Sequence, residues 1–352
     1  MKALIFRGDR RVQLVEVPRP EPGPGEVLVQ VARAAVCGTD VHKYRLPAGE
    51  AHELEPGVPI IAGHEPAGWA MQSGAGARSA ARGTRVLVAG VIGCGRCAQC
   101  LAGYNTACEA GPYGLHWRHH GGDAEYLVMP AVNALPLPDA VSFDTAVVLA
   151  CAGGTAMTGL RECGASAGMQ LGVVGLGPVG LCAVILGRAL GCSVFGLDPN
   201  PERRKLALEL GAAQVSDPLQ QDALGEVKSW SGGRGCEVTL ECVGNAAAQK
   251  LALELLGARG TAGMAGLGGE PLALDVTHSL IGKSGARIVG IAATPIKYFH
   301  ELLALAAHAA LPFERLITHR LPLERAQEAL ELMESGRSGK VVLEIASVPV
   351  TD

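Results

Sequence analysis

The sequence has 352 residues, of which 48% are hydrophobic and 18% are charged, a composition typical of a globular protein. A chain of this length exceeds one ordinary hydrophobic core and favours two domains. The net charge of -4 and the pI near 6.2 give no reason to expect nucleic acid or an anionic membrane as a partner, and the apolar stretches are interrupted before the ~20 residues that a membrane span needs.

Residues 1–130 predict a β-rich region. Short apolar or alternating runs are separated there by turn-forming clusters such as Pro18–Gly25. The strands expected in this region are Lys2–Phe6, Glu26–Ala34, Thr84–Val88 and Ala124–Val128.

From Gly153 onwards, strand-like and helix-like segments alternate, which indicates a parallel sheet with helices on both faces. The expected strands are Leu171–Val174, Ser193–Leu197, Val238–Cys242, Gly260–Gly263 and Arg287–Ile291, and the expected helices are Val179–Leu190 and Pro201–Leu210. The tail predicts helices near Tyr298–Ala309 and Leu323–Ser335 and a last strand near Lys340–Ile345. We therefore expect one domain over 1–152 and 289–352 and a second over 153–288.

The eleven cysteines indicate metal binding or catalysis rather than disulfides. The N-terminal segment MKALIFRGDR lacks the apolar core of a secretory signal, so we expect a cytoplasmic protein, in which disulfides are rare. Five cysteines lie in apolar or helical contexts and are expected to be small core residues: Cys163, Cys182, Cys192, Cys236 and Cys242.

Four cysteines form a C-x2-C-x2-C-x7-C pattern, namely Cys94, Cys97, Cys100 and Cys108. Such short spacings let four thiolates converge on one zinc ion at ~2.3 Å and close its tetrahedron, which predicts a structural zinc site. Free or disulfide-bonded cysteines are one alternative. An iron–sulfur cluster is another, although the bacterial ferredoxin spacing and its proline are absent.

Three dispersed residues offer a second ligand set. Cys37 lies in CGTDVH, His64 lies between Gly63 and Glu65, and Cys151 lies in ACAGGT just before the dinucleotide region. A lone cysteine or histidine is more often a core residue than a ligand. Together, two cysteines and one histidine leave a fourth position for water or substrate, the pattern of a catalytic zinc site, which is known from alcohol dehydrogenase.

A glycine-rich turn follows the first strand of the alternating region. The motif GLGPVG supplies Gly175, Gly177, Pro178, Val179 and Gly180. This G-x-G-x-x-G spacing permits a tight turn and a close approach to a pyrophosphate at the helix N-terminus. Asp198 ends the next strand, where a carboxylate binds the ribose 2′-hydroxyl and repels a 2′-phosphate, so we expect NAD rather than NADP. Arg203 and Arg204 lie nearby and could accept a phosphate.

Together these motifs resemble the medium-chain zinc-dependent alcohol dehydrogenase family over nearly the whole chain and in the family's order. The resemblance implies an α/β fold, with a doubly wound Rossmann domain and a β-rich GroES-like catalytic domain. It implies that Cys37, His64 and Cys151 bind a catalytic zinc, that Glu65 approaches the metal during ligand exchange, and that Asp40 orients His64.

The resemblance also assigns roles near the reacting alcohol and the cofactor. Thr39 matches the hydroxyl that contacts the alcohol, and His42 matches the outer end of a proton relay through the cofactor ribose. Lys340 matches a cation near the cofactor phosphates, and Val243 belongs to the implied cofactor site. The implied protein holds two zinc ions per subunit and NAD, acts on a small alcohol or carbonyl compound, and forms a homodimer or homotetramer.

Two positions depart from the family pattern. Gly38 stands where several relatives carry a basic residue for the pyrophosphate. The stretch His116–His120 is unusually basic and bulky, and forms either a solvated loop or a cleft wall that favours a polar or anionic substrate.

Three functions compete on these residues. The first is the NAD-dependent oxidation of an alcohol, including polyols, sugars or amino alcohols; a polyol is less favoured, because many polyol enzymes carry an acid at the position of Cys151. The second is a zinc-bearing carbonyl reductase, which uses the same residues. The third is a non-catalytic NAD-binding protein, which would be expected to lose the ligands that are all present here.

Overall fold

The computed structural model describes residues 1–48, 50, 53–55, 57–78, 81–220, 222–269 and 271–348. The chain forms two compact units, one of Met1–Cys151 with Thr294–Asp352 and one of Ala152–Ala293. These divisions lie at 151/152 and 293/294, whereas the sequence places them at 152/153 and 288/289.

The first unit begins with a β-rich segment. Its strands are β1 (Lys2–Gly8), β2 (Arg11–Glu16), β3 (Glu26–Val36), β4 (Glu53–Glu55), β5 (Val58–Pro59), β6 (Pro66–Ser73), β7 (Arg85–Val88), β8 (Val91–Ile92), β9 (Tyr113–Gly114), β10 (Tyr126–Pro130) and β11 (Ala134–Pro136). Its helices are α1 (Gly38–Tyr44), α2 (Ala98–Leu101) and α3 (Phe143–Val148), and a π-helical turn follows at Leu149–Gly153.

The second unit alternates strands and helices. Its strands are β12 (Gln170–Val174), β13 (Ser193–Leu197), β14 (Gln214–Ser216), β15 (Cys236–Glu241), β16 (Leu256–Met264) and β17 (Arg287–Gly290). Its helices are α4 (Gly154–Glu162), α5 (Pro178–Ala189), α6 (Pro201–Glu209), α7 (Ala223–Trp230) and α8 (Ala246–Glu254), with a π-helical turn at Thr277–Ile281.

The chain then returns to the first unit with α9 (Ile296–Ala309), β18 (Ile317–Pro322), α10 (Ala326–Glu334) and β19 (Lys340–Glu344). The main sheet there has the order β11-β7-β6-β3-β19-β18, with β10 also paired to β3. Strand β3 is buried along almost its whole length, because it pairs with β6, β10 and β19. It is the centre of this sheet, where strands from the N-terminal segment of the first unit pair with a strand from its C-terminal segment.

The sheet of the second unit is parallel throughout and has the order β14-β13-β12-β15-β16-β17. This order confirms the predicted Rossmann domain. The strand order reverses between β12 and β15, and ligands of such sheets bind beyond the carboxyl ends of the strands at this point.

One helical stretch, Phe143–Glu162, is long and apolar enough to cross a membrane by length and composition. The sequence predicts no such stretch, because glycines and charges interrupt the run. Within the described residues, most of this stretch is buried inside the protein, so it has the character of a core helix.

Candidate metal centres and dinucleotide site

The four cysteines of the predicted structural zinc site come together in a small lobe. The Sγ atoms of Cys94, Cys97, Cys100 and Cys108 lie within 4.8 Å of one another. Two are oriented by backbone amides, because Cys108 Sγ accepts from Cys94 N at 3.2 Å and Cys97 Sγ accepts from Cys100 N at 3.5 Å. The cluster approaches the separation of ~3.8 Å that thiolates at ~2.3 Å from one tetrahedral zinc adopt.

The environment prepares part of this cluster for metal binding. Backbone N–H groups of Arg96 and Cys97 lower the pKa of Cys94 to about 6, and those of Glu109 and Cys100 lower the pKa of Cys97. Burial raises the pKa of Cys100 to about 12. These backbone donors favour the thiolate form of Cys94 and Cys97, whereas burial disfavours it at Cys100, where a bound cation would offset the cost.

The lobe is attached to the rest of the first unit by a buried amide. Asn105 Nδ2 donates to Val91 O at 2.7 Å, and its Oδ1 accepts from Ile296 N at 2.8 Å. Lys297, in the first turn of α9, donates to Tyr104 OH at 2.5 Å. These contacts fix the lobe to β8 and to the start of α9.

The second ligand set also converges. One ligand atom each of Cys37, His64, Glu65 and Cys151 lies within 4.8 Å of the others. The Sγ atoms of Cys37 and Cys151 are 3.9 Å apart, close to the ~3.8 Å expected for two thiolates on one tetrahedral zinc at ~2.3 Å. The donor set of two sulfurs, one imidazole and one carboxylate therefore fits zinc.

Local geometry explains why these residues meet. Cys37 is the N-cap of α1, and Asp40 closes a capping box by accepting from Cys37 N at 2.7 Å. Gly63 precedes the ligand His64 with φ at +87°, and a Cβ there would lie 2.1 Å from Asp123 Oδ1. Only glycine fits this position, so the G-H-E motif has a steric cause.

Asp40 lies behind His64, as the family resemblance implies. Its Oδ1 is 3.4 Å from His64 Nδ1 and 3.0 Å from His116 Nδ1, and the carboxylate is buried. Burial alone would raise the pKa of Asp40, but the two histidines outweigh it and hold this pKa well below its usual range. Burial alone would lower the pKa of His64, whereas Asp40 and Cys37 hold it well above its usual range.

Lys340 forms a buried ion pair beside the proposed ligand cluster. Its Nζ is 2.6 and 2.5 Å from the two carboxylate oxygens of Glu65, and both side chains are at most 1% exposed. Burial raises the pKa of Glu65, and the ammonium group of Lys340 opposes that rise. The cause is sheet register, since Val341 pairs with Val36 and the preceding Lys340 therefore faces the ligand segment.

The two predicted relay residues occupy α1. Thr39 Oγ1 lies 3.5 Å from His64 Nε2, so its hydroxyl is next to the ligand cluster. His42 is exposed one turn further on. Gly38, the departure noted above, is exposed at the first position of the helix.

The stretch His116–His120 is not a uniformly solvated loop. Trp117 and Arg118 are exposed, but His116 is buried against Asp40, and its ring centroid lies 4.6 Å from that of His64. No local pattern in the sequence distinguishes this histidine from its neighbours. Burial lowers the pKa of His116 to about 4.

The glycine-rich turn of the second unit has the geometry its sequence predicts. Gly175 has φ at +91°, and a Cβ on Gly180 would lie 1.8 Å from Gly175 O. Gly177 caps α5, which begins with Pro178, and a Cβ on Gly177 would meet nothing within 4 Å. The turn itself therefore requires Gly175 and Gly180. Gly177 instead leaves open space at the N-terminus of α5, of which Val179 is the second residue.

Asp198 lies at the end of β13, beside this turn. Its carboxylate accepts from Leu176 N and from Asn200 N, each at 2.8 Å. Arg203 Nη1 lies 3.8 Å from Asp198 Oδ2. Arg204 donates to Asp198 O and pairs with Asp217, so its guanidinium is already engaged.

A residue that the sequence reading missed organises the neighbouring turn. Glu241 ends β15 and is fully buried, and its Oε1 accepts from Val243 N at 2.6 Å and from Gly244 N at 2.7 Å. It thereby holds Val243, which is 46% exposed, at the edge of the sheet next to Gly175. Its position as the last residue of a strand, just before the Val243–Gly244 turn, is the local signal for it.

Comparisons with known proteins agree with this geometry. The model of the alcohol dehydrogenase GroES-like domain matches residues 23–139, and that of the zinc-binding dehydrogenase matches residues 178–308. The chain is 34% identical to the uncharacterized zinc-type alcohol dehydrogenase-like protein YphC of Escherichia coli (strain K12), over 97% of this chain and 98% of that protein. It is 32% identical to the L-threonine 3-dehydrogenase of Bacillus licheniformis, with the same coverage.

Among solved structures, the alcohol dehydrogenase TADH from Thermus sp. ATN1 superposes with a TM-score of 0.89 and 31% identity, over 98% of this chain and all of that one. The chain therefore belongs to the medium-chain zinc-dependent alcohol dehydrogenase family. It is an oxidoreductase that transfers hydride between a small alcohol and a nicotinamide cofactor, and it contains zinc.

The glycine turn gives a paired prediction. We expect Gly180→Ala to lower the stability of the protein by about 1–3 kcal/mol, because the new Cβ collides with backbone. Gly177→Ala should melt like the wild type but bind NADH more weakly, because its Cβ enters the open space before α5. Thermal unfolding and NADH fluorescence titration measure the two effects, and equal melting of Gly180→Ala and wild type would contradict the assignment.

The buried ion pair gives a second prediction. Lys340→Met should lower the free energy of unfolding by about 3–5 kcal/mol, because it leaves the Glu65 carboxylate buried without its partner. Lys2→Met is the matched control, since the Lys2–Glu324 pair is about half exposed and solvent screens it, so its loss should change the stability much less. Urea unfolding at equal zinc content measures both, and similar losses in the two variants would argue against a special role of this pair.

Proposed function

We propose that Cys37, His64 and Cys151 hold the catalytic zinc ion of this dehydrogenase. The observation that carries the proposal is the 3.9 Å separation of the two Sγ atoms beside a histidine oriented by Asp40. The four-cysteine lobe would hold a second, structural zinc, because all of its ligand positions are protein sulfurs. The first unit would then be the catalytic domain and the second the cofactor-binding domain.

Glu65 distinguishes the two sites. Its Oε1 lies 3.8 Å from His64 Nε2, near enough to the ligand cluster to reach a metal ion there after a small movement. The ion pair with Lys340 holds the carboxylate in place and offsets part of its charge. Glu65 would therefore stand as a reserve ligand rather than a permanent one.

The proton route would use the chain's own residues. When bound, zinc supplies the Lewis acidity that makes an alcohol hydroxyl more acidic, and nicotinamide accepts the hydride. Thr39 carries a hydroxyl that can donate and accept hydrogen bonds at once, and it lies beside His64. His42 is exposed on the same helix, where its ring nitrogens can exchange protons with solvent.

NAD would be preferred over NADP. The buried carboxylate of Asp198 is fixed by two backbone N–H groups at the edge of the sheet, where it would accept from the ribose 2′-hydroxyl and repel a 2′-phosphate. Arg203 would line the same region. Its guanidinium faces Asp198, which reduces its ability to bind a phosphate.

The relatives offer one specific substrate candidate. Several relatives of 30–32% identity are L-threonine 3-dehydrogenases, so a β-hydroxy-α-amino acid is a specific candidate beside simple secondary alcohols. Reduction of the corresponding carbonyl compound would use the same residues. A panel of alcohols, diols, polyols and L-threonine with NAD, followed as NADH absorbance, identifies the substrate; no turnover of any member, in protein with full zinc, would refute the proposed function.

We further propose a cytoplasmic homodimer or homotetramer, as the family resemblance implies. Size-exclusion chromatography with light scattering measures the state of assembly directly.

The zinc assignment predicts a specific stoichiometry. Cys151→Ser should remain folded, retain one zinc ion per chain and lose alcohol oxidation, because only the open site is damaged. Cys100→Ser should instead fold poorly, because the binding energy of a structural zinc is also folding energy. Cys242→Ser lies outside both clusters and should retain two ions. Elemental analysis measures the counts, and two ions in Cys151→Ser would contradict the assignment.

The cofactor assignment predicts a change of preference. Asp198→Asn keeps one acceptor oxygen for the backbone but removes the charge, so the ratio of NADPH to NADH affinity should rise by about 10-fold or more, the loss of one charged hydrogen bond. Glu202→Gln, an exposed acid at the start of α6, should leave the ratio unchanged. Fluorescence titration measures both affinities; a wild type that prefers NADPH would overturn the assignment.

A further inference from the structure

His116 is a buried histidine that the chemistry proposed above does not use. It is 1% exposed, and its Nδ1 lies 3.0 Å from Asp40 Oδ1. The same oxygen faces His64 Nδ1 at 3.4 Å. Two imidazole rings therefore converge on one carboxylate oxygen, and one of them belongs to a proposed zinc ligand.

The other oxygen of the carboxylate is also engaged. Asp40 Oδ2 accepts from the backbone N–H of Cys37 at 2.7 Å. The carboxylate thus joins the backbone of one proposed ligand, Cys37, to the ring of another, His64. Any group that fixes the rotation of the Asp40 carboxylate therefore also fixes the placement of Cys37 relative to His64.

The backbone at His116 is held in an uncommon conformation. Its φ is +56°, in the left-handed region that non-glycine residues rarely adopt. Its carbonyl accepts from the buried ammonium group of Lys43, which also lies 4.1 Å from the centroid of the Trp117 ring. These contacts turn the imidazole inward towards Asp40 while Trp117 and Arg118 stay at the surface. A residue keeps such an unfavourable backbone conformation only when neighbouring contacts hold it there, and residues of this kind cluster at functional sites.

We propose that His116 is a positioning residue of the catalytic zinc site: its imidazole, with Nδ1 3.0 Å from Asp40 Oδ1, holds that carboxylate against His64. The inference rests on the proposed function, because it takes His64 as a ligand of zinc. Histidine ligands depend on the carboxylate behind them, and the loss of such outer partners typically weakens metal binding about 10–100-fold. His116 would act one step further out, through Asp40.

Two substitutions at His116 distinguish the effect of its imidazole from the effect of its backbone conformation. Glycine and asparagine both tolerate positive φ, so His116→Gly and His116→Asn can keep the loop as it is. Only asparagine retains an N–H donor near the position of Nδ1. His119→Asn is the matched control, because it removes a half-buried imidazole from the same stretch.

The measurement is the rate at which zinc passes from the protein to an excess of a chelating dye. In the wild type and in His119→Asn, we expect two zinc ions per chain. In His116→Gly, one ion should leave about 10–100 times faster and the other at the wild-type rate. His116→Asn should restore the slow release, and the cobalt-substituted protein should show an altered visible spectrum in His116→Gly only.

Three results would overturn the proposal: wild-type release from His116→Gly, equally fast release from His116→Asn, or acceleration at both sites with a lower melting temperature, which would give His116 a general structural role. A wild type that holds a single zinc ion would instead refute the ligand assignment itself, and the inference would fall with it.

Discussion

The buried carboxylate of Asp40 holds the ligand segment of the first unit together. It accepts from the backbone of Cys37 on one side and faces His64 and His116 on the other. An isolated carboxylate in this position would be costly to bury, and the backbone N–H of Cys37 together with the two neighbouring imidazoles offsets part of that cost. The placement of two proposed ligands, and of Thr39 between them in the chain, depends on this one group.

The sheet around β3 supplies the rest of the site. Cys37 follows the end of β3, Glu65 precedes β6, and Lys340 begins β19, and the three strands pair side by side. Glu65 and Lys340, which are 275 positions apart in the chain, therefore form an ion pair next to the proposed ligands. The π-helical turn at Leu149–Gly153 adds Cys151, and such turns are frequent at functional sites.

The sequence predicted what is encoded locally. The cysteine spacing, the G-H-E motif and the glycine-rich turn each carry their geometry within a few residues, and the alternation after Gly153 predicted the parallel sheet. Long-range pairing carries no local signal, so the sequence did not predict the ion pair that β19 forms between Lys340 and Glu65. Glu241 was missed for the same reason, and His116 was noted only as part of a basic stretch, because burial and partners distinguish these residues, not their neighbours in the chain.

The central claim is that the chain holds two zinc sites with different donors, one of four sulfurs and one of two sulfurs with nitrogen and oxygen. X-ray absorption at the zinc edge of the wild-type protein tests it directly. The account predicts, on average per zinc, about three sulfurs at ~2.3 Å and one nitrogen or oxygen at ~2.0–2.1 Å. Four sulfurs per zinc would show that only the cysteine lobe binds metal and would contradict the account.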